Sequence, residues 1–142
     1  MERRFEEKTV RKALQRGYVD AQRLLASPSQ MQKFLLRLEE KEEVVRTVGE
    51  PLAAVPVLER LLRRYLDGEY TAISAAAMAQ VVSALLYFVS PWDLYPDSVP
   101  GKGYADDAAV LDCCWKLCQP ELEAYLAWER EQLVCQNGSA GA

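Results

Sequence analysis

Four aspartates crowded between positions 93 and 107 are the chain's densest set of reactive groups: Asp93, Asp97, Asp106 and Asp107. Pro91, Pro96 and Pro100 stiffen the backbone that carries them, and Gly101 and Gly103 bracket its tip. Carboxylates gathered around a turn suit a hard cation, so Mg²⁺ or Ca²⁺ is the cofactor such a cluster would take. With an open coordination position and a bound water, the same acids would serve a metal-dependent hydrolase. The spacing is not that of an EF-hand, whose loop pattern and terminal bidentate Glu are missing. A structural role competes with the metal. Asp93 and Asp97 can accept N–H groups in proline turns, and Asp106 or Asp107 can cap the amides opening the next helix. Asp107 precedes Val110, Leu111 and Cys114 at helical intervals, which points it inward. An inward carboxylate must be hydrogen-bonded, paired, protonated or bound to a cation.

Little else in the chain supports catalysis. There is no histidine to act as a base, no glycine-rich phosphate loop and no Ser or Cys nucleophile arrangement. No catalytic residue is therefore assigned, and the chain reads as a non-enzyme. Cys113, Cys114, Cys118 and Cys135 lack the paired spacing of a zinc site and read as free, small core residues. Carboxylates near Cys113 and Cys114 would raise their thiol pKa and blunt reactivity. Trp92 and Tyr95, with Tyr104, flank an uncharged stretch, so they serve either as anchors at a membrane interface or as core residues packing the loop. Trp115 and Trp128 fall on the charged sides of their helices, where they cover a neighbour or mark a partner surface.

The elements that must position the aspartates read as helices. Val10, Ala13, Leu14, Gly17, Ala21 and Leu24 form one stripe over residues 2–26, with Gly17 a place for close packing or a weak point. Ser27-Pro28-Ser29-Gln30 starts a second helix, capped by Ser27 with Pro28 at its first position. Met31, Phe34, Leu35, Leu38, Val45 and Val48 carry it to a stop at Gly49-Glu50-Pro51, and Glu39 to Glu43 form a solvated face. A third spans Ala54 to Leu66 and ends at Gly68. From Tyr70 through Trp92 no residue is charged. Residues 72–89 could therefore nearly cross a bilayer core of roughly 30 Å, or form the central helix of a bundle, covered on all sides. Six alanines and a polar seam of Gln80, Ser83, Tyr87 and Ser90 favour the bundle. A fifth helix runs from Ala105 to Leu117, with Val110, Leu111, Cys114, Leu117 and Cys118 inward. A sixth, opened by Pro120, runs from Glu121 to Val134 with Leu122, Tyr125, Leu126 and Leu133 inward.

The segment Leu85-Leu86-Tyr87-Phe88-Val89-Ser90-Pro91-Trp92-Asp93-Leu94-Tyr95-Pro96-Asp97-Ser98-Val99-Pro100-Gly101-Lys102-Gly103-Tyr104-Ala105-Asp106-Asp107 resembles the signature of the YkvA-like family. In that family an aliphatic helix runs into Ser/Asn-Pro-x-Asp-x-x-Pro-Asp-x-x-Pro, followed by a Gly and a paired Asp-Asp. Pro91, Pro96, Pro100 and Gly103 supply its structural positions. Trp92 and Tyr95 replace the usual aliphatics, and Lys102 adds a charge to a loop tip that is commonly apolar. The resemblance covers residues 60–130 well. It implies a small helical domain of unknown function, often bacterial and in some members membrane-associated, with no established catalytic residues to carry over.

The expectation is an all-α protein: a compact bundle of five to six helices around a central uncharged, Ala-rich helix, with the Pro/Asp-rich loop before the fifth. Residues 1–135 form one domain and 136–142 a flexible tail. The functional expectation is a non-catalytic helical interaction or membrane-associated module, against the alternative of a divalent-cation-binding protein or hydrolase. Its partner would be another protein, a second copy of itself or a membrane. Residues 1–70 carry a net charge of +2 and residues 71–142 a net of −6, which argues against nucleic acid. Met1 to Lys12 is highly charged and lacks the apolar core of a signal peptide, so the expected location is cytoplasmic, with or without membrane attachment.

Overall fold

The computed structural model describes the backbone of residues 7–89 and 105–141, with side chains for most of them. Seven α-helices and one 3-10 turn make up these residues: α1 Glu7–Ala26, α2 Pro28–Glu40, α3 Glu42–Val48, the turn Glu50–Leu52, α4 Ala54–Leu66, α5 Ala75–Val89, α6 Ala105–Leu117 and α7 Gln119–Gly141. There is no strand among the described residues. The all-α expectation holds.

The middle of the chain is α5. Met78, Ala79, Val81, Val82, Ser83, Ala84, Leu85, Tyr87 and Phe88 are each no more than 1% exposed, so every face of its last three turns is covered. The cover comes from α1, α2, α4 and α6, with α1 making the most extensive contact. Small residues allow that approach: Ala13, Gly17 and Ala21 lie buried on α1, as do Ala77, Ala79 and Ala84 on α5. Ser83, one of the seam residues, donates its hydroxyl to the Leu14 carbonyl of α1, which satisfies a polar group deep in the core. Residues 72–74 lie outside the helix. Ser74 is its cap, accepting the Ala77 N–H at 3.1 Å on its hydroxyl. The remaining Ala75–Val89 is about 22 Å long at the usual helical rise, and no helix among the described residues is long and apolar enough to cross a membrane.

Some expectations hold in detail. Ser27 accepts the Gln30 N–H, with Pro28 at the first helical position. Four residues of α4 (Val55, Leu58, Leu61 and Leu62) are buried, and each such leucine contributes roughly 1.5–3 kcal/mol by leaving water. The end of α4 is a Schellman motif. Gly68 at φ +78° lets its own N–H reach the Tyr65 carbonyl at 3.2 Å and the Glu69 N–H reach Arg64 at 2.9 Å.

Others are corrected. The second helix does not run unbroken to Val48. It stops at Lys41, whose backbone (φ −95°, ψ 2°) lies in the bridge region, and restarts as α3. A continuous helix would stack Glu39 on Glu42 and Glu43, and Glu40 on Glu43, and the break relieves that repulsion. It also swings the Lys41 ammonium to 5.3 Å from the centre of the buried Phe88 ring. Leu117 and Leu133, assigned inward, are 43% and 54% exposed. Leu117 lies at the last position of α6, where the chain turns into α7 after a single residue. Leu133 lies beyond Glu129, the last buried residue of α7 among those described.

Candidate functional site

The segment that carries Asp93 and Asp97 lies in sequence between the end of α5 and the start of α6. Asp93 and Asp97, the prolines Pro91, Pro96 and Pro100, Gly103, and the aromatics Trp92 and Tyr95 all lie outside the described residues. Asp106 and Asp107 fall in the first turn of α6, with their side chains likewise outside. Among the described residues no group of three or more His, Cys, Asp or Glu side chains is placed to hold a metal ion.

What the described side chains do assemble is a partly buried charge cluster between α4 and α7. Glu129 is only 9% exposed. Arg60 grips it with two bonds, Nε to Oε2 at 2.8 Å and Nη2 to Oε1 at 2.9 Å. The fully buried Tyr125 donates its phenol to Oε2 at 2.8 Å from one turn earlier on α7. Arg64 Nη1 stands 3.6 Å from Oε2, within ion-pair reach, and its guanidinium lies 5.3 Å from the Trp128 ring centre. Tyr70 closes the group, with its ring 5.1 Å from Tyr125 and 5.0 Å from Trp128. Trp128 therefore covers a neighbour, the first of the two roles its register allowed.

The electrostatics follow from these contacts. The Arg60 hydrogen bonds hold the Glu129 carboxyl below its ordinary pKa, against the effect of burial. The same carboxylate raises Arg60. Burial, with the bond to Glu129 next, pushes the Tyr125 phenol up to about 12. Burial and the charge on Glu121 push Tyr70 upward as well. A carboxylate this firmly ionised and saturated with donors is an anchor between helices, poorly suited to giving or taking protons near neutral pH.

Two smaller polar arrangements flank it. Glu121 at the start of α7 accepts the Ser74 N–H at 2.7 Å and the Ser74 hydroxyl at 3.1 Å, so one carboxylate secures the residue that caps α5. On the outer side of α4, Arg63 bridges Glu59 at 3.1 Å and Glu39 of α2 at 2.9 Å. Arg63 and Glu59 edge a groove of about 330 Å³ walled by Leu38, Val45 and Val55.

Cys113, Cys114 and Cys118 are unbridged. Cys114 points at the Gln80 carbonyl of α5 at 3.5 Å and Cys118 at that of Ala77 at 4.0 Å, so both act as small core residues with weak S–H donors. The neighbouring Cys118 thiol, then burial, pushes the Cys114 thiol well up, and Cys114 in turn lowers Cys118. The rise expected at Cys114 therefore comes from its thiol neighbour and from burial. Trp115 is half-buried and lines a shallow groove with Ala54, Val57 and Leu111.

Glu129 was legible by the same argument that turned Asp107 inward. It follows Leu122 and Tyr125 at intervals of seven and four, on the buried stripe of α7. Its partners Arg60 and Arg64 are more than sixty residues away, and no local pattern announces them.

The helices, the buried α5 and the charge-clamped α7 define an all-α bundle with no assigned chemistry. The profile of a family described as protein of unknown function (DUF1232) matches residues 77–111, which is α5 from its third residue through most of the buried part of α6. Over 69 residues the chain is 38% identical to "Uncharacterized membrane protein YkvA" of Bacillus subtilis (strain 168), an alignment covering 49% of this chain and 65% of that protein. Both findings are likenesses to YkvA-like proteins of unknown function, and the chain spans just under two thirds of that relative's length. No solved structure matches.

Proposed function

We propose that this chain is a non-catalytic helical module that attaches to a membrane from outside the bilayer, with the segment between α5 and α6 as its contact. The cover around most of α5 carries this reading. The uncharged stretch is already occupied in the core, so inserting it would strip away the residues of α1, α4 and α6 that bury it. Attachment must then use the outside of the bundle. The name of the Bacillus subtilis relative, a membrane protein, supports the association. Trp92 and Tyr95 are the proposed anchors, since amphipathic rings favour the headgroup region. Fractionation of cells with an alkaline carbonate wash tests it. Peripheral attachment predicts membrane-bound protein that carbonate releases, and weaker binding for the Trp92→Ala/Tyr95→Ala variant. Resistance to carbonate, or protein wholly in the soluble fraction, would overturn it.

For Asp93, Asp97, Asp106 and Asp107 the proposed role is capping, with cation binding as the alternative. The place of Asp106 and Asp107 in the first turn of α6 supports it, because carboxylates there complement the exposed amides. Capping predicts that Asp107→Asn lowers the melting temperature equally with and without Mg²⁺ or Ca²⁺. A metal-dependent rise in the native protein that this substitution abolishes would establish the cation site instead.

A further inference from the structure

We infer that the outer face of α1 is a docking surface for anionic lipid headgroups. This inference rests on the proposed membrane attachment and adds to it the surface and the lipid class.

Seven Lys or Arg residues (Lys8, Arg11, Lys12, Arg16, Arg23, Lys33 and Arg37) lie between positions 8 and 37, with Asp20 the lone acid. The whole-half charge of +2 conceals this run, because the acids that offset it are concentrated outside it. The fold sorts the run by face. The buried stripe of α1 goes to α5 and α6, and Lys8, Arg11, Lys12, Arg16 and Arg23 are all exposed along the other side. Asp20 is half-buried and stands 3.9 Å from Arg23 at the end of the row, and Arg11 shares a groove with Asp112 of α6. Lys12 and Arg16 make no ion pair among the described residues.

A row of cations one or two helical turns apart on a rigid support presents its charge within a Debye length of whatever plane it meets. The partner it fits by charge is an extended anionic surface. Val19, 52% exposed in the same row, adds an apolar contact suited to the headgroup boundary. The apolar stripe of α1 is occupied by the core, so docking is by charge and does not require the helix to embed. A nucleic acid is also polyanionic, but the net of −6 on residues 71–142 would repel a strand that wrapped the bundle. A flat lipid surface touches one face only.

The test is flotation of the full chain with phosphatidylcholine vesicles, with and without phosphatidylglycerol, comparing the native protein with Lys12→Glu/Arg16→Glu. Each cation near an anionic leaflet is worth roughly fivefold in binding constant. Two reversals should therefore weaken binding to phosphatidylglycerol vesicles on the order of a hundredfold or more. Added salt should release the native protein. Lys12→Arg/Arg16→Lys, which conserves the charge, should bind like the native chain. Both variants should keep the native circular dichroism and melting temperature, since the two side chains lie on the solvent face. Binding that is equal on both vesicle types, or unmoved by the reversals, would overturn this inference and leave peripheral attachment standing. Failure to bind any vesicle would overturn both. Charge-sensitive binding to duplex DNA without vesicle binding would also overturn it, in favour of nucleic acid.

Discussion

Replacing Glu129 with alanine should be the most damaging single change on the surface between α4 and α7, and its cost can be worked from the contacts. Tyr125 is fully buried, so losing its acceptor leaves a phenol unsatisfied at about 1–2 kcal/mol. Arg64 Nη1 makes no hydrogen bond even in the native protein, so it loses only its 3.6 Å ion pair with Glu129, worth up to about 1 kcal/mol. Arg60 contributes less, because its side chain is 45% exposed and water can replace the lost oxygens. The sum is about 3 kcal/mol, the low end of what breaking a buried ion pair costs. For a domain of this size that is on the order of 8 °C in Tm. Urea denaturation followed by tryptophan fluorescence reads it directly, since Trp128 packs against the cluster. A double-mutant cycle with Arg60→Ala should return a coupling above about 1 kcal/mol. A destabilisation below about 1 kcal/mol with an unchanged m-value would refute the reasoning, because it would mean that solvent already satisfies these groups.

Three further outcomes are expected. The Glu129 carboxyl has a folded pKa below its ordinary value of 4.5, so its contribution is fully present above that pH and is lost as pH falls through the folded value; an acid titration of stability should lose this limb in Glu129→Ala. Tyr125 runs the opposite way, its folded pKa being raised from 10.0 to about 12, so its contribution holds below pH 10 and is lost as pH rises toward 12. Tyrosinate absorbance should show a phenol ionising near pH 12 that Tyr125→Phe removes, while the upward-shifted Tyr70 remains. Gly68→Ala should cost about 1 kcal/mol through its left-handed backbone alone, since no atom lies within 4 Å of the added methyl, and Gly68→Asn should cost less in the same denaturant assay.

Most of the helical framework was legible because periodicity and punctuation are local. Ser27-Pro28, Gly49 and Gly68 mark ends that the structure keeps, and α4 and α6 begin and end where their stripes and breakers say. The break at Lys41 was not legible, since Lys and Glu are good helix formers and no Gly or Pro interrupts them. It answers to repulsion along the helix and to Phe88 in a distant element. Ser74 was read as part of a long apolar run; its role as cap depends on Glu121, which lies forty-seven residues away. The aspartate loop was the most conspicuous feature of the sequence, whereas the described cluster around Glu129 joins residues that only the fold brings together.

The cover around α5 also bears on what can be inherited. The segment matched by the family profile contains most of α5 and the start of α6, but neither α1, which covers α5 most, nor α4. Cut out alone, it would expose an uncharged helix with too little chain to bury it. The recognisable stretch is thus a dependent insert, and any protein that carries it must bring or recruit its own helical jacket. Divergent jackets around a shared central hairpin would give relatives of different surfaces, and hence different attachments, while preserving the same short signature.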